Sequence, residues 1–269
     1  MKTITTQQQA RPVQSLGFCF FCGGVFATER ECINAPDHLP PKAVFHPDDR
    51  NWRLKVACHW CCNQERSITD TKSGQLIGAT RGQYPKTKDI ALNVEPWRIA
   101  DDEIPVGILS EFNFQAEIWR WVRGFHAALY GEYLPADGGH RTYPPIPSGE
   151  MTAEGPQFNE DHLHVQAGVV QQIKMNAAVG RLDEIKCNNG KLHYMCLWAP
   201  PFDRGQWECW FALKIYDWQT AGDPRFPQRA CIGRYAISDV QPPTDASVGV
   251  TIEIPVASKS PLDPFTPVG

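Results

Sequence analysis

Two pairs of cysteines near the start of the chain have the spacing of a zinc knuckle. The first pair is Cys19 and Cys22, and the second is Cys58 and Cys61. Two intervening residues let the backbone turn tightly, so that both thiolates of a pair can reach one tetrahedral Zn²⁺. The spacing therefore predicts a structural zinc site with four protein ligands.

The second pair can also be placed one residue further along the chain. In that register His59 and Cys62 bind the metal with the same gap of two residues, and Asn63 directly follows the last ligand. The residues upstream of Cys58 favour the first register, whereas the Cys-Asn pair favours the second. We prefer Cys58 and Cys61, and His59 with Cys62 is the alternative.

An acid and an imidazole stand side by side between the two cysteine pairs, at Asp37 and His38. Neutral imidazole can deprotonate water near pH 7, and carboxylate oxygens suit hard divalent cations. Adjacent residues of a regular strand point to opposite faces, so the two side chains share a site only where the backbone bends. Pro40 and Pro41 follow at once and favour such a bend.

The order CxxC, Asp-His-x-Pro-Pro-Lys, CxxC and Asn resembles the HNH endonucleases, over about residues 15–75. These are ββα-metal nucleases with a treble-clef-like zinc site, and the resemblance implies a β-hairpin that carries His38, followed by a helix. It implies that His38 is the general base and that Asp37 and Asn63 bind a catalytic Mg²⁺ or Mn²⁺. It further implies that Asn51 orients the catalytic loop. Cys62 is a departure, because the family's Asn usually follows the last cysteine directly.

The resemblance implies hydrolysis of phosphodiester bonds in nucleic acid, with double-stranded DNA as the expected substrate. The rival hypothesis is a non-catalytic zinc-binding module that recognises nucleic acid or protein. A third interpretation makes the C-terminal part of the chain a unit that senses a partner protein or a signal and controls the nuclease, as in bacterial or phage conflict systems.

Composition limits the other classes of function. The 269 residues include 42% hydrophobic residues and carry a net charge of −4, so the chain is no globally basic nucleic-acid binder. Residues 1–75 hold nine Lys and Arg against seven Asp and Glu, which gives this part a mild positive field. We find no secretory signal or membrane span, and we expect the ten cysteines to lie in the reducing cytoplasm.

Sequence patterns predict an α+β protein with the HNH module first, then a helical connector and an antiparallel β domain. The predicted parts are a flexible tail (1–14), the module (15–75), the connector (76–134), a Gly- and Pro-rich linker (135–160), the β domain (161–256) and a C-terminal tail (257–269).

Periodicity assigns the elements within these parts. We predict hairpin strands over residues 29–37 and 53–57, and a short helix over 63–72 that ends at Gly74. The strongest helical pattern covers 113–131, with an apolar face and a second face that carries Trp119, Arg120, Arg123 and His126. In the β domain, Val, Ile and aromatic enrichment predicts strands over 162–177, 181–187, 191–199, 207–217 and 229–238.

Overall fold

The computed structural model is a mixed α+β fold in which one large sheet follows a small hairpin-and-helix module. It describes residues 1–10, 16–51, 53–79, 93–98, 105–110, 112–143, 149–152, 155–158, 160–200, 207–216, 231–236, 242–243 and 245–249. The α-helices are α1 (Trp60–Gln64), α2 (Ser67–Ala79), α3 (Phe114–Tyr130) and α4 (Glu160–Ala178). The strands are β1 (Thr3–Ile4), β2 (Asp37–Leu39), β3 (Leu54–Val56), β4 (Asn93–Arg98), β5 (Pro105–Ser110), β6 (His140–Tyr143), β7 (Gly149–Thr152), β8 (Gly155–Phe158), β9 (Asp183–Cys187), β10 (Leu192–Ala199), β11 (Glu208–Ile215) and β12 (Cys231–Ala236).

The large sheet has six strands in the order β1-β9-β10-β11-β12-β6. Its centre is an antiparallel run from β9 to β12, which confirms four of the five predicted strands of the β domain. The turn between β9 and β10 holds Asn188, Asn189 and Gly190 at positive φ, the conformation that a tight hairpin favours in these residue types.

The prediction of a strand over 162–177 is wrong, because this segment belongs to α4. Val169 and Ile173 lie four residues apart on one face of the helix and are buried in the same apolar cluster as Leu197 and Ala212 of the sheet. That spacing is helical, and enrichment in Val and Ile alone concealed it.

Two segments that we predicted to be irregular contribute strands. Part of the expected N-terminal tail forms β1, which pairs in parallel with β9, so the sheet is mixed and not purely antiparallel. Part of the expected linker forms β6, which pairs with β12 at the other edge. Each strand satisfies backbone groups of an edge that would otherwise be open.

Helix α3 is confirmed, and every residue of it from Glu117 to Tyr130 is buried. The Asn113 side chain accepts a hydrogen bond from the Ala116 amide at 3.0 Å, and Gly131 ends the helix with φ +74°. Its polar residues Arg120, Arg123 and His126 are at most 3% exposed. The helix therefore lies between the sheet and the N-terminal module: Arg120 and Arg123 contact the module, and His126 contacts Tyr235 of the sheet.

The N-terminal module consists of the β2–β3 hairpin followed by α1 and α2. The predicted first strand is displaced, since β2 begins at Asp37 and part of the expected range forms a 3₁₀ helix, Arg30–Cys32. Gly74 lies within α2 and does not end it; a Cβ at this position would be 2.6 Å from the Ala43 carbonyl oxygen. This glycine therefore permits close packing of α2 on the hairpin loop.

The module and the sheet touch through the hairpin loop. The Tyr216 hydroxyl after β11 accepts from the His46 amide at 2.8 Å and donates to the Asp49 carboxylate at 2.9 Å. Both parts share one continuous apolar core, which includes Leu39 and Leu54 of the hairpin and Tyr194 and Phe211 of the sheet.

Candidate metal centre and hydrolytic site

Four side chains converge beside the start of α1. The sulfurs of Cys19, Cys22 and Cys62 and a ring nitrogen of His59 all lie within 4.8 Å of one another. Among the residues that the structure describes, this is the one group of three or more Cys, His, Asp or Glu side chains arranged in this way. Three thiolates and one imidazole form an ordinary ligand set for a structural Zn²⁺.

The first two donors stand on a tight turn whose backbone is arranged around their sulfurs. The Cys19 amide donates to the Gly24 carbonyl at 2.8 Å, and the Gly23 amide donates to the Cys19 carbonyl at 2.8 Å. Gly23 has φ +79°, a conformation that a residue with a Cβ adopts at a cost. The amides of Gly24 and His59 point at the sulfurs of Cys22 and Cys19, at 3.4 and 3.3 Å. These donors favour the thiolate form that metal binding requires.

His59 precedes the first turn of α1, and both of its ring nitrogens have a neighbour. Nδ1 is 3.2 Å from the Cys22 sulfur, and Nε2 is 3.0 Å from the Val25 carbonyl oxygen. A ring that donates from Nε2 to Val25 leaves Nδ1 free of its proton and directed at the other donors. Such an outer hydrogen bond fixes the tautomer of a metal-binding histidine.

The converging donors correspond to the alternative register, His59 with Cys62, and not to the preferred pair of Cys58 and Cys61. His59 forms an isolated β-bridge with Asn34 and directly precedes α1. His59 and Cys62 therefore both point towards the turn that carries Cys19 and Cys22. The Cys61 sulfur is 4.0 Å from that of Cys62 and lies outside the group. The spacing alone could not separate the two registers, because both leave a gap of two residues.

Cys58 is buried beside the group without belonging to it. Its sulfur is 3.8 Å from that of Cys19. The hydrogen bond with the Cys58 thiol lowers the pKa of Cys19 to about 4 and raises that of Cys58. Cys58 therefore contacts the donor group through the Cys19 sulfur.

Arg123 of α3 supports the first knuckle from the other side, a contact that no local sequence pattern predicts. Its guanidinium donates to the backbone carbonyls of Phe20, at 3.4 Å, and Phe21, and its Nε donates to the Leu134 carbonyl at 2.7 Å. The carbonyls between Cys19 and Cys22 thus have a charged partner more than a hundred residues away in sequence.

Asp37 and His38 lie on opposite faces of β2, as the alternation of a regular strand requires. Asp37 is buried, and its Oδ2 accepts from Nη1 of Arg120 at 3.1 Å. His38 is half-buried on the outward face, directly across from Lys55 of β3. No bend brings the two side chains together, so Pro40 and Pro41 do not have the effect that we expected.

The environment of His38 keeps its ring neutral. Burial lowers the pKa of His38 to about 4, and the positive charges of Lys42, Arg53 and Lys55 act in the same direction. Its Nε2 is buried and has no hydrogen-bond partner among the described residues.

The two asparagines of the predicted site have other partners. Asn63 is partly buried on α1, and its Nδ2 donates to the Ala35 carbonyl at 3.2 Å, which ties the helix to the chain just before β2. Asn51 is exposed, and its Oδ1 accepts from the Asn189 amide at 2.8 Å, in the turn between β9 and β10. Asn51 therefore joins the module to the sheet.

The two donors predicted for a catalytic Mg²⁺ or Mn²⁺, Asp37 and Asn63, each have a protein partner. The Asp37 carboxylate is directed into the protein towards Arg120, and Asn63 holds a backbone carbonyl.

Searches against protein-family models, curated proteins and solved structures gave no match. Within the described part of the chain, no helix is both long and apolar enough to span a membrane.

Proposed function

We propose that the N-terminal module cleaves phosphodiester bonds of nucleic acid and that His38 takes the proton from the attacking water. The observation that carries this proposal is the state of His38. It is a neutral imidazole with an unpaired nitrogen, on the outward face of a hairpin, with three cations close enough to lower its pKa.

Two features of this environment bear on the chemistry. A general base must be unprotonated at the working pH, and a pKa of about 4 leaves His38 neutral above about pH 5, although it also makes the ring a weaker base than a histidine that titrates near the working pH. Positive side chains attract a phosphate and stabilise the charge that develops on its oxygens during cleavage. Lys55 stands directly across from His38, and Lys42 follows β2 in the hairpin loop.

The Cys19, Cys22, His59 and Cys62 group would hold a zinc ion with a structural role. Zinc at this position joins the knuckle to the head of α1, just where the hairpin passes into the helix. The zinc would therefore hold in place the hairpin that carries His38. His38 itself would not bind the zinc.

A non-catalytic zinc-binding recognition module is the second candidate, and the placement of Asp37 favours it. The acid that the HNH resemblance assigns to a catalytic ion is buried in an ion pair with Arg120. The same cations around His38 would then serve only to bind phosphates.

Plasmid nicking by the purified full-length protein, with Mg²⁺, Mn²⁺ or EDTA, separates the two candidates. We expect His38→Ala to lower the nicking rate by about 100-fold to 10,000-fold while zinc content and DNA binding are retained. His46→Ala is the matched control, since it removes another imidazole of the same module. Equal nicking by His38→Ala and wild type would reject the catalytic role, and DNA binding without any nicking by wild type would support the recognition module.

A further inference from the structure

Arg120 lies at the centre of a buried ionic cluster that joins three elements. Nη1 donates to Asp37 of β2 at 3.1 Å, Nε donates to Glu117 of α3 at 3.0 Å, and Nη2 donates to Asp70 of α2. Arg120 is 3% exposed. A single guanidinium thus serves three carboxylates, and removing it would leave the buried carboxylates of Asp37 and Glu117 without a cation among these contacts.

Gly124 stands one turn further along the same face of α3 and meets the same strand. A Cβ at this position would lie 1.8 Å from Cδ1 of Leu39. Only a residue without a side chain allows Leu39 to approach the helix this closely. Helix α3 therefore contacts β2 at Asp37 through Arg120 and at Leu39 through Gly124.

These two contacts fix the direction of the residue between them. Asp37 and Leu39 are both buried on the face of β2 that turns towards α3. Because side chains alternate along a strand, His38 must then point outwards, to the face that it shares with Lys55. A shift of one residue in the register of β2 would bury His38 and expose Asp37.

We propose that Arg120 and Gly124 are positioning residues for His38, and that Asp37 is the anchor of Arg120 and no ligand of a catalytic metal. The proposal builds on the role of His38 proposed above. It assigns to a helix outside the hairpin the task of orienting the base, and it gives the acidic residue beside the base a different task from the one that the HNH resemblance implies.

The contact requires a planar donor group. Arg120 reaches three carboxylates through three different nitrogens, which a lysine ammonium at the end of a flexible chain cannot reproduce. Asparagine at position 37 keeps an oxygen that can accept from Nη1. Arg120→Lys should therefore disturb β2 more than Asp37→Asn does.

The experiment compares full-length Arg120→Lys, Gly124→Ala and Asp37→Asn with wild type. Arg234→Lys is the matched control, because Arg234 pairs with Glu208 on the large sheet, away from β2. The readouts are the NMR cross-peak between the His38 ring and the Lys55 side chain, zinc content, and kcat and KM for plasmid nicking over a Mn²⁺ titration.

We expect Arg120→Lys and Gly124→Ala to lose the cross-peak and at least tenfold in kcat, with zinc retained and KM within twofold. Asp37→Asn should keep the cross-peak and should reach half-maximal nicking at the wild-type Mn²⁺ concentration. An intact cross-peak in Arg120→Lys, or in Gly124→Ala where Arg120→Lys does not fold, would overturn the positioning role.

A tenfold higher Mn²⁺ requirement in Asp37→Asn, with kcat restored at saturation, would overturn the assignment of Asp37 as an anchor. A wild-type protein that nicks no plasmid rejects the proposed function, and the cross-peaks still decide whether α3 orients His38.

Discussion

The N-terminal module and the six-stranded sheet are stabilised in different ways. The hairpin strands β2 and β3 have three residues each and α1 has five, whereas β10 and β11 have eight residues each and pair along their whole length. The short elements of the module share the apolar core through residues such as Leu39 and Leu54, and the module adds to this a cluster of candidate metal donors and charged contacts with α3. The sheet is stabilised by apolar packing on both of its faces.

This difference predicts which kind of change should destabilise each part of the molecule. A metal site contributes a large free energy from four side chains, and its loss is abrupt. A packed core spreads its contribution over many residues, and a single substitution removes only a fraction. The two parts meet at α3, which supplies Arg120 and Arg123 to the module and His126 to the sheet.

Metal removal should have the largest effect and should be confined to the module. Structural zinc contributes about 10 kcal/mol or more to the folding of small sites. Chelation should therefore unfold residues near the knuckle and α1 while β9 to β12 remain protected in hydrogen exchange. Cys61→Ser is the matched control for Cys62→Ser, because only the Cys62 sulfur belongs to the donor group. Equal zinc loss from the two variants would contradict the assignment.

Truncation in the core of the sheet should give the opposite pattern. Leu213 is fully buried on β11, and Leu213→Ala should lower the free energy of unfolding by about 2 to 5 kcal/mol. Zinc content at 25 °C should stay at the wild-type value, since no donor is touched. Urea unfolding followed by intrinsic fluorescence, together with elemental analysis, tests both statements. Loss of zinc from this variant would show that the two parts unfold as one.

His126 should make the packing of α3 on the sheet sensitive to acid. Complete burial lowers the pKa of His126 to about 3, so the folded protein holds the ring neutral while the unfolded chain protonates it below about pH 6.5. The contribution of neutral His126 to the free energy of unfolding is fully present above pH 6.5. It falls as the pH decreases, and it is lower by about 2 kcal/mol at pH 5.

The His126 effect must be measured as a difference, because burial raises the pKa of Asp37 to about 7 and gives a slope of opposite sign between about pH 4 and 7. Urea unfolding of wild type and His126→Gln at pH 7 and pH 5 isolates the histidine. The stability gap between them should shift in favour of His126→Gln at pH 5, and an unchanged gap would contradict the prediction.

The smallest effect should come from the contact between Gln7, which follows β1 of the sheet, and Lys55 of β3 in the module. The Gln7 side chain accepts from the Lys55 amide at 2.9 Å and donates to the Lys55 carbonyl at 3.1 Å, and so continues the ladder of β3. Because both hydrogen bonds are exposed to solvent, Gln7→Ala should cost only about 1 kcal/mol of stability. Faster hydrogen exchange at the Lys55 amide, with unchanged exchange in β10, is the expected signature.

The sequence predicted the parts of the molecule that depend on local patterns. Helix α3 was visible in its apolar spacing and in the Gly131 stop, and the hairpin turn in Asn188, Asn189 and Gly190. The cysteine spacing predicted a metal site. Helix α4 was missed because its Val and Ile content indicates strands when spacing is ignored.

What the sequence could not predict depends on contacts between distant segments. The pairing of Arg120 with Asp37 spans 83 positions, and no local pattern relates the two residues. The choice between Cys58 and Cys61 or His59 and Cys62 depends on where β3 ends and α1 begins, a boundary of one residue. The direction of His38 could be deduced only as opposite to Asp37, and the contacts of α3 with Asp37 and Leu39 decided which of the two faces the helix.

The most direct test of the central assignment is zinc K-edge X-ray absorption on the full-length, zinc-loaded protein. A site of Cys19, Cys22, His59 and Cys62 predicts one zinc per chain with three sulfur neighbours at about 2.3 Å and one nitrogen neighbour at about 2.0 Å. Four sulfur neighbours and no nitrogen would show that His59 is not a ligand, as a second pair of Cys58 and Cys61 requires, and would contradict the arrangement of donors described here.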